Sequence, residues 1–427
     1  MNTSLYKKIA EKEIFPALWC TEPIAIAYAV SRAREYVSSK IMSIVVTLDA
    51  GTHKNAIWVI IPNSWNNKGT NIAAALWLFW NATLWLEVLK WLSEEEIQGA
   101  LTIAEQGIIT TTVKDINDLY IRIDMETENA EKITAIIEKS HTNVISILIN
   151  NEEQLKQNAT IQENNDISWN YQEWVKNLSI EQMIALSQQI DEQDIDQIKR
   201  GIEMQLSIWE ELRKLFPDEY EKLKASYSGP MYSLFLSEIL LQCTSATYAR
   251  MSGVNKPVMS SWWSGNQWIV AMLLPYLYGT KVLGLSVNDR RLFESIALSN
   301  IINSYVKSYT WAVSSMCGCY IAAGTWAIAA MLYQSGNNVQ NMHLGIGNMV
   351  ASSGGVLCDG AKIGCYNKVA ASVVNSLNAV SQANNSFGVS HTDGIIWKDS
   401  LESIRNISRI ANEGWINKVL IPILLSK

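Results

Sequence analysis

Between Ser308 and Cys358 the chain carries no Asp, Glu, Lys or Arg, and His343 is the only titratable side chain there apart from Tyr and Cys. A stretch of that length without charge has two solutions: it crosses a membrane, or it forms the middle of a large core. Trp311 to Tyr333 is long enough to span. It also holds Ser314, Ser315, Cys317, Cys319, Thr325 and two Gly, and it lacks the flanking charges that orient a membrane helix. A buried central helix fits better. The rest of the chain can supply the core around it. Of 427 residues, 48% are hydrophobic and 18% charged, enough apolar material for two or three domains. Lys+Arg number 34 against 41 Asp+Glu, a net charge of −7, which excludes a nucleic-acid binder working by bulk positive charge and excludes disorder.

The first part reads as mixed α/β. Ile14 to Tyr36 carries a helix signal, with Thr21 as N-cap and Pro23 in the first turn. Ile41–Leu48, Ile108–Val113, Leu119–Met125 and Val144–Ile149 are strand-like runs rich in Ile, Thr and Val, and Asn71–Leu92 reads as helix. A polar stretch follows, and residues 156–170 are expected to link an α/β domain over 1–155 to a mainly helical domain over 171–427. In the second part Ile190–Ala225 predicts one long amphipathic helix, with Tyr232–Met251 and Arg290–Thr310 as two more. The fold class expected is α+β. No internal repeat is present. The N-terminus leads into Lys7 and Lys8 rather than an apolar run, so no secretory signal is expected, and six Cys fit a reducing cytoplasm rather than a disulfide framework.

The cysteines carry most of the chemistry. Cys243 stands alone in a helix and reads as a small buried hydrophobe. Cys317 and Cys319 flank Gly318, and Cys358 and Cys365 bracket Asp359-Gly360-Ala361-Lys362-Ile363-Gly364. No C-x2-C pair and no His pair at ligand spacing appears, which argues against zinc. Thiolates holding an iron–sulfur centre are the better match, provided Asp359-Gly360 and Gly364 turn the chain enough to bring Cys358 and Cys365 together. Cys20 precedes a helix start, where the helix dipole favours a thiolate able to act as base or nucleophile; packing under the first turn is the plainer alternative. Ser260–Trp268 (SSWWSGNQW) offers Ser264, Asn266, Gln267 and backbone N–H groups to a carboxylate, with Arg250 ten residues earlier as a bidentate partner. His141-Thr142-Asn143, between two strands, reads by itself as a turn.

In order along the chain, Pro16-Ala17-Leu18-Trp19-Cys20-Thr21-Glu22-Pro23, Lys54–Pro62, His141-Thr142-Asn143, Ala249-Arg250-Met251, Ser264-Gly265-Asn266-Gln267 and Cys358-Asp359-Gly360-Ala361-Lys362 resemble the motifs of the L-cysteine desulfidase family, a serine-dehydratase-like α-subunit family. The resemblance runs from Pro16 to about Ile410. It implies a pyridoxal-free β-elimination, L-cysteine giving hydrogen sulfide, ammonia and pyruvate. It implies a [4Fe-4S] cluster held by Cys317, Cys358 and Cys365, with Cys319 competing for the first position, and Cys20 as proton acceptor. His141 and Asn143 then join Ser264, Asn266, Gln267 and Arg250 as candidate substrate contacts. L-Serine dehydration with the same cluster and base is the near alternative, and a non-catalytic iron–sulfur protein the more distant one. The expected partner is a small amino acid, not nucleic acid or membrane; a homo-oligomer is left open.

One departure recurs. Trp19, Trp58, Trp65, Trp77, Trp85, Trp263, Trp268 and Trp326 stand where the family pattern has Gly, in a chain with 17 Trp and only 22 Gly. Overpacking costs about 1–3 kcal/mol per site, so eight such sites rival the roughly 5–15 kcal/mol that holds a domain together. A gene in which UGA encodes Gly, translated by a code in which UGA encodes Trp, produces this pattern; a degenerate protein with a blocked site is the competing reading. The protein from its natural source is expected to have an intact mass below that of the written sequence. UGG codons at these positions, with the full mass, would make the tryptophans native.

Overall fold

A computed structural model of the chain describes residues 4–18, 20–61, 64, 67–76, 93–116, 118–154, 171–262, 264–310, 314–413 and 422–423. Trp19, Trp65, Trp77, Trp85 and Trp263, the expected linker, and most of the expected Asn71–Leu92 helix lie outside these residues.

The N-terminal part is built on a six-stranded sheet. Its strands are β2 (Ile41–Asp49), β3 (Ile109–Lys114), β4 (Tyr120–Thr127), β5 (Lys132–Glu138), β6 (Val144–Ile149) and β7 (Glu152–Glu153), in the order β3-β2-β4-β5-β6-β7. Only the β2–β3 pair is parallel. Alternation selects the inner face: Ile44, Val46 and Leu48 of β2, Ile121, Ile123 and Met125 of β4, and Ile133, Ala135 and Ile137 of β5 are buried. The helix Thr21–Arg34 covers β4 and β5. β5 escaped the sequence reading, because Lys132–Glu138 is short and its charged ends sit on the same run as its apolar centre.

The second sheet has two strands, β1 (Ile14–Ala17) and β8 (Val258–Ser261), paired antiparallel with Ile14 opposite Ser261 and Ala17 opposite Val258. The expected helix over Ile14–Tyr36 is therefore a strand followed by a helix. Its N-cap is Cys20, not Thr21: Cys20 has the extended backbone of a cap (φ −67°, ψ 135°) but makes no side-chain cap bond. Pro23 falls in the first turn, where its missing N–H costs nothing.

The helical part forms its own core. Leu234–Met251 packs on Glu192–Leu215 and on Cys365–Asn384, while Ile321–Gln334 packs on Arg290–Tyr309, Val339–Ser353 and Cys365–Asn384. The expected long helix over 190–225 is two, Glu192–Leu215 and Pro217–Ser226, because Pro217 cannot continue the first and starts the second. Of the span Trp311–Tyr333, the described helix begins only at Ile321 and runs to Gln334, with nearly every residue buried; a second helix, Val339–Ser353, completes the uncharged stretch. Among the described residues no helix is long and apolar enough to cross a membrane. Tyr6, Ile9, Ala10 and Ile14 pack into this helical core, whereas Met251 and Cys365 pack into the core of the sheet, so the two bodies interlock.

Glu13 marks the seam. It is 3% exposed and faces Ser304, whose hydroxyl donates to its carboxyl. Burial pushes this carboxyl up to about 8, against the pull of Ser304, Tyr171, Trp262 and the Lys307 ammonium. The folded protein therefore keeps a proton that the unfolded chain gives up in the ordinary carboxyl range, and stability falls as pH rises toward about 8. Urea unfolding of wild type and Glu13→Gln at several pH values should show the wild type losing ground between about pH 5 and 8. Parallel curves would mean that Glu13 titrates normally.

Candidate functional site

Three local devices bring distant cysteines to one cavity. The first is a minimal antiparallel ladder. Met316 bridges Leu357, the Cys317 N–H donates to Val356 O at 2.9 Å, and the Cys358 N–H donates to Ser315 O at 2.9 Å. Cys317 and Cys358 thereby share an edge. The second is the turn from Cys358 to Cys365, which lets Cys365 begin the helix Cys365–Asn384 with its Sγ 3.7 Å from Gly360 O. Asp359 clamps this turn through Lys362 and Lys368. Burial works to raise the Asp359 carboxyl, but the two ammonium groups prevail and hold it at about 2. The third device is the β1–β8 pair, which sets Cys20, just after β1, beside the loop just after β8.

Two glycines permit the close approaches. Gly360 lies at φ +100°, and a Cβ there would sit 2.4 Å from the carbonyl oxygen of Lys54. Gly318 sits against the amide of Gln267, where a Cβ would come within 2.5 Å of Nε2. The Cys317-Gly318-Cys319 turn therefore rests directly on the Ser264–Gln267 loop.

The resulting cavity, of about 90 Å³, is bordered by Cys20, Arg250, Ser264, Asn266, Gln267, His141, Cys317, Cys319, Cys358 and Cys365. Every sequence candidate but one meets there. Asn143 does not: it sits in the β5–β6 turn and donates to Glu138 O at 3.0 Å. Ser264 caps the short helix Gly265–Trp268, its hydroxyl accepting from the Gln267 N–H at 3.3 Å, and Arg250 Nη1 donates to Asn266 Oδ1 at 3.2 Å.

The site also holds side chains that sequence reasoning passed over. Cys20 Sγ donates to Glu22 Oε2 at 3.4 Å; Asn55 Nδ2 donates to Glu22 Oε1 at 2.9 Å; His141 Nε2 lies 3.9 Å from the same oxygen. Lys54 Nζ donates to Ser314 O at 2.9 Å, tying the helix Ala50–Ala56 to the cysteine-bearing wall. Asp49 caps that helix through the Thr52 N–H and also accepts from the Tyr120 N–H, which fixes where Lys54 and Asn55 point. The signals were present: Glu22 is two residues from Cys20, and Lys54-Asn55 opens one of the quoted motifs.

Burial decides the protonation states. It pushes the Cys20 thiol well above its ordinary range, Glu22 pushes the same way, and Arg250 opposes. The helix-dipole expectation of a ready thiolate is thereby corrected: desolvation and a neighbouring carboxylate outweigh the dipole, and Cys20 is a thiol donating to Glu22. Burial pushes His141 down to about 4, so it is neutral at pH 7. Cys317 and Cys319 behave as a pair. The hydrogen bond from Cys319 lowers the Cys317 thiol, with Lys368 assisting, and the same bond raises Cys319.

The serine dehydratase alpha chain pattern matches residues 88–418. The chain belongs to the serine dehydratase α-chain family. Its relatives include UPF0597 proteins of Geobacter sulfurreducens (34% identical over 99% of both chains), Clostridium tetani (33% over 98% of both) and Elusimicrobium minutum (32% over 99% of both). Membership in this dehydratase family implies a lyase-type enzyme.

The donor set of this dehydratase-family chain suits a thiolate-held iron–sulfur group: Cys317, Cys319, Cys358 and Cys365 are free thiols around one cavity. Among the described residues no three His, Cys, Asp or Glu side chains converge as the ligands of one metal ion would. A cluster is a body of several atoms and takes ligands spread more widely around it. Of the tryptophans at glycine-type positions, Trp58 is half-buried, and Trp268 and Trp326 are fully buried.

Gly360→Ala should spring the Cys358–Cys365 turn away from Lys54. Iodoacetamide labelling, followed by peptide mass spectrometry, is expected to modify Cys358 and Cys365 faster than in wild type, while Cys243 stays protected in the helical core. Unchanged rates would show that the Lys54 contact does not set the turn.

Proposed function

We propose that the chain catalyses pyridoxal-free β-elimination of L-cysteine to hydrogen sulfide, ammonia and pyruvate, with L-serine dehydration as the alternative at the same site. The reading rests on one observation: Cys20 with its Glu22 partner faces the thiol-bearing wall across a cavity of amino-acid size. Cys317, Cys358 and Cys365 would hold a [4Fe-4S] cluster. Cys317 is preferred to Cys319 because the Met316–Leu357 bridge sets it on the same edge as Cys358. When bound, the cluster supplies an open iron, a Lewis acid for the departing group.

The chain's own groups do the proton work. Cys20 takes the proton from Cα while its own thiol proton passes to Glu22, a relay that avoids a free buried thiolate. Asn55 holds the Glu22 carboxylate in line, and neutral His141 adds a polar wall without competing for the proton. The electron pair of the Cα–H bond becomes the Cα=Cβ bond as the Cβ–S bond breaks. The sulfur leaves as hydrogen sulfide after gaining a proton, and water converts the aminoacrylate to pyruvate and ammonia. With serine, water leaves instead. Ser264, Asn266 and Gln267 provide polar contacts for the substrate, and a reducing cytoplasm suits the six thiols.

Protein purified without oxygen should release sulfide and pyruvate in equal amounts from L-cysteine, without added pyridoxal phosphate. Faster pyruvate release from L-serine would move the assignment to the dehydratase. Cys20→Ala should abolish turnover and keep the iron; Cys358→Ala should lose both. Retained activity in Cys20→Ala would remove Cys20 from its role.

A further inference from the structure

Three cations border the cavity: Arg250, Lys307 and Lys368. Two are engaged. Arg250 donates to Asn266 at 3.2 Å, and Lys368 is held by Asp359 and by Leu357 O. Lys307 is different. It lies in the last turn of Arg290–Tyr309 and is only 7% exposed. Yet among the described residues its ammonium has no hydrogen-bond acceptor and no carboxylate within ion-pair distance. The negative or ionisable groups facing it are Cys319, Cys358, Glu22 and Glu13, all acting at longer range, while burial works to discharge it. A buried ammonium without a direct partner is costly, and a site that keeps one offers it to an anion.

The anion it fits can be identified from its surroundings. Cys20 and Glu22 are the groups suited to meet a substrate's Cα–H, and the thiol wall is suited to meet its Cβ substituent. Of the two charged groups that remain on a small amino acid, the α-ammonium would be repelled by Lys307, and only the α-carboxylate is an anion that can pair with it. We propose that Lys307 seats the substrate α-carboxylate and so restricts the site to free amino acids; this rests on the β-elimination reading above. Arg250 then acts as a positioning residue, holding Asn266 in the loop beneath.

Two small molecules separate this role from others. L-Alanine has the carboxylate but no leaving group. 2-Aminoethanethiol has the thiol and amine but no carboxylate. Calorimetry on protein purified without oxygen should show L-alanine binding weakened about tenfold to a hundredfold in Lys307→Met, the loss of one charged hydrogen bond. Lys307→Arg should retain most of it. Affinity for 2-aminoethanethiol, read as inhibition or by calorimetry, should be unchanged in both variants, and iron content should match wild type. For L-cysteine, KM should rise more than kcat falls.

Unchanged L-alanine affinity in Lys307→Met, or equal loss for both molecules, would overturn the proposal. So would iron lost with L-alanine binding kept, which would make Lys307 a counter-charge to the thiols. A wild type that binds L-alanine through Lys307 but eliminates nothing would leave this inference standing and sink the proposed reaction. Should Lys307→Met fail to fold, the Lys307→Arg variant and the two ligands on wild type still decide: a wild type that binds both equally does not read the carboxylate.

Discussion

Four residues of β1 paired with four of β8 hold the site together. The pairing joins segments more than two hundred residues apart, and each strand delivers one functional loop immediately beyond it. Past β1 comes Cys20; past β8 comes Ser264. The ladder is short, so it needs support beyond its own strand bonds. Ser260 Oγ donates to Phe15 O at 2.8 Å, and the Trp262 N–H donates to Glu13 O at 3.2 Å. The helical core supplies the rest, since Ile14, Val258 and Met259 all pack within it. Cys20 itself belongs to the core of the other body, so the chain between Ala17 and Cys20 is where the two cores are stitched.

Around that seam the protein buries charge that most folds leave in water. Glu13, Glu22, Lys54, Arg250 and Lys307 are all buried. Such groups persist only where bonds or neighbouring charges compensate for lost hydration. Lys54 is spent on a backbone carbonyl and Glu22 on Cys20 and Asn55. The same desolvation that makes these contacts strong keeps Cys20 protonated. In the proposed reaction a proton relay through Glu22 takes the place of a standing thiolate.

The sheet and the main helices were legible because their periodicity is local. β2, β4 and β6 announce themselves through β-branched runs, and Glu192–Leu215 through an apolar face. What could not be read locally was decided by pairing. Ile14–Ala17 is apolar enough for a helix, and only the partner strand at Val258–Ser261 makes it a strand. The cysteines were legible as a set. Their meeting was not, since it depends on the Met316–Leu357 bridge and on Gly360 closing against Lys54. Lys307 was the least visible of all. It is the last charge before the uncharged stretch, and nothing in its neighbourhood along the chain says that it faces a cavity.

The tryptophans pose a backbone question as well as a packing one. The ring of Trp268 is fully enclosed, its Nε1 donates to Asn300 Oδ1 at 3.0 Å, and it is admitted only because residue 201 is Gly: a Cβ there would stand 2.2 Å from the ring. Trp326 is equally buried, with no acceptor for its Nε1 among the described residues. Trp262, which is not among the eight positions named from the family pattern, differs in kind. It lies at φ +46°, a left-handed conformation that costs a bulky residue about 1–3 kcal/mol and a glycine almost nothing. A packing misfit can be relieved by neighbours shrinking, as at Gly201, but a left-handed turn cannot be relieved by any neighbour. Strain of that sort falls on the loop that carries Ser264, Asn266 and Gln267 to the cavity. A glycine at 262 would remove the strain and withdraw an indole from the cavity wall in one change, so the backbone and the site ask for the same residue.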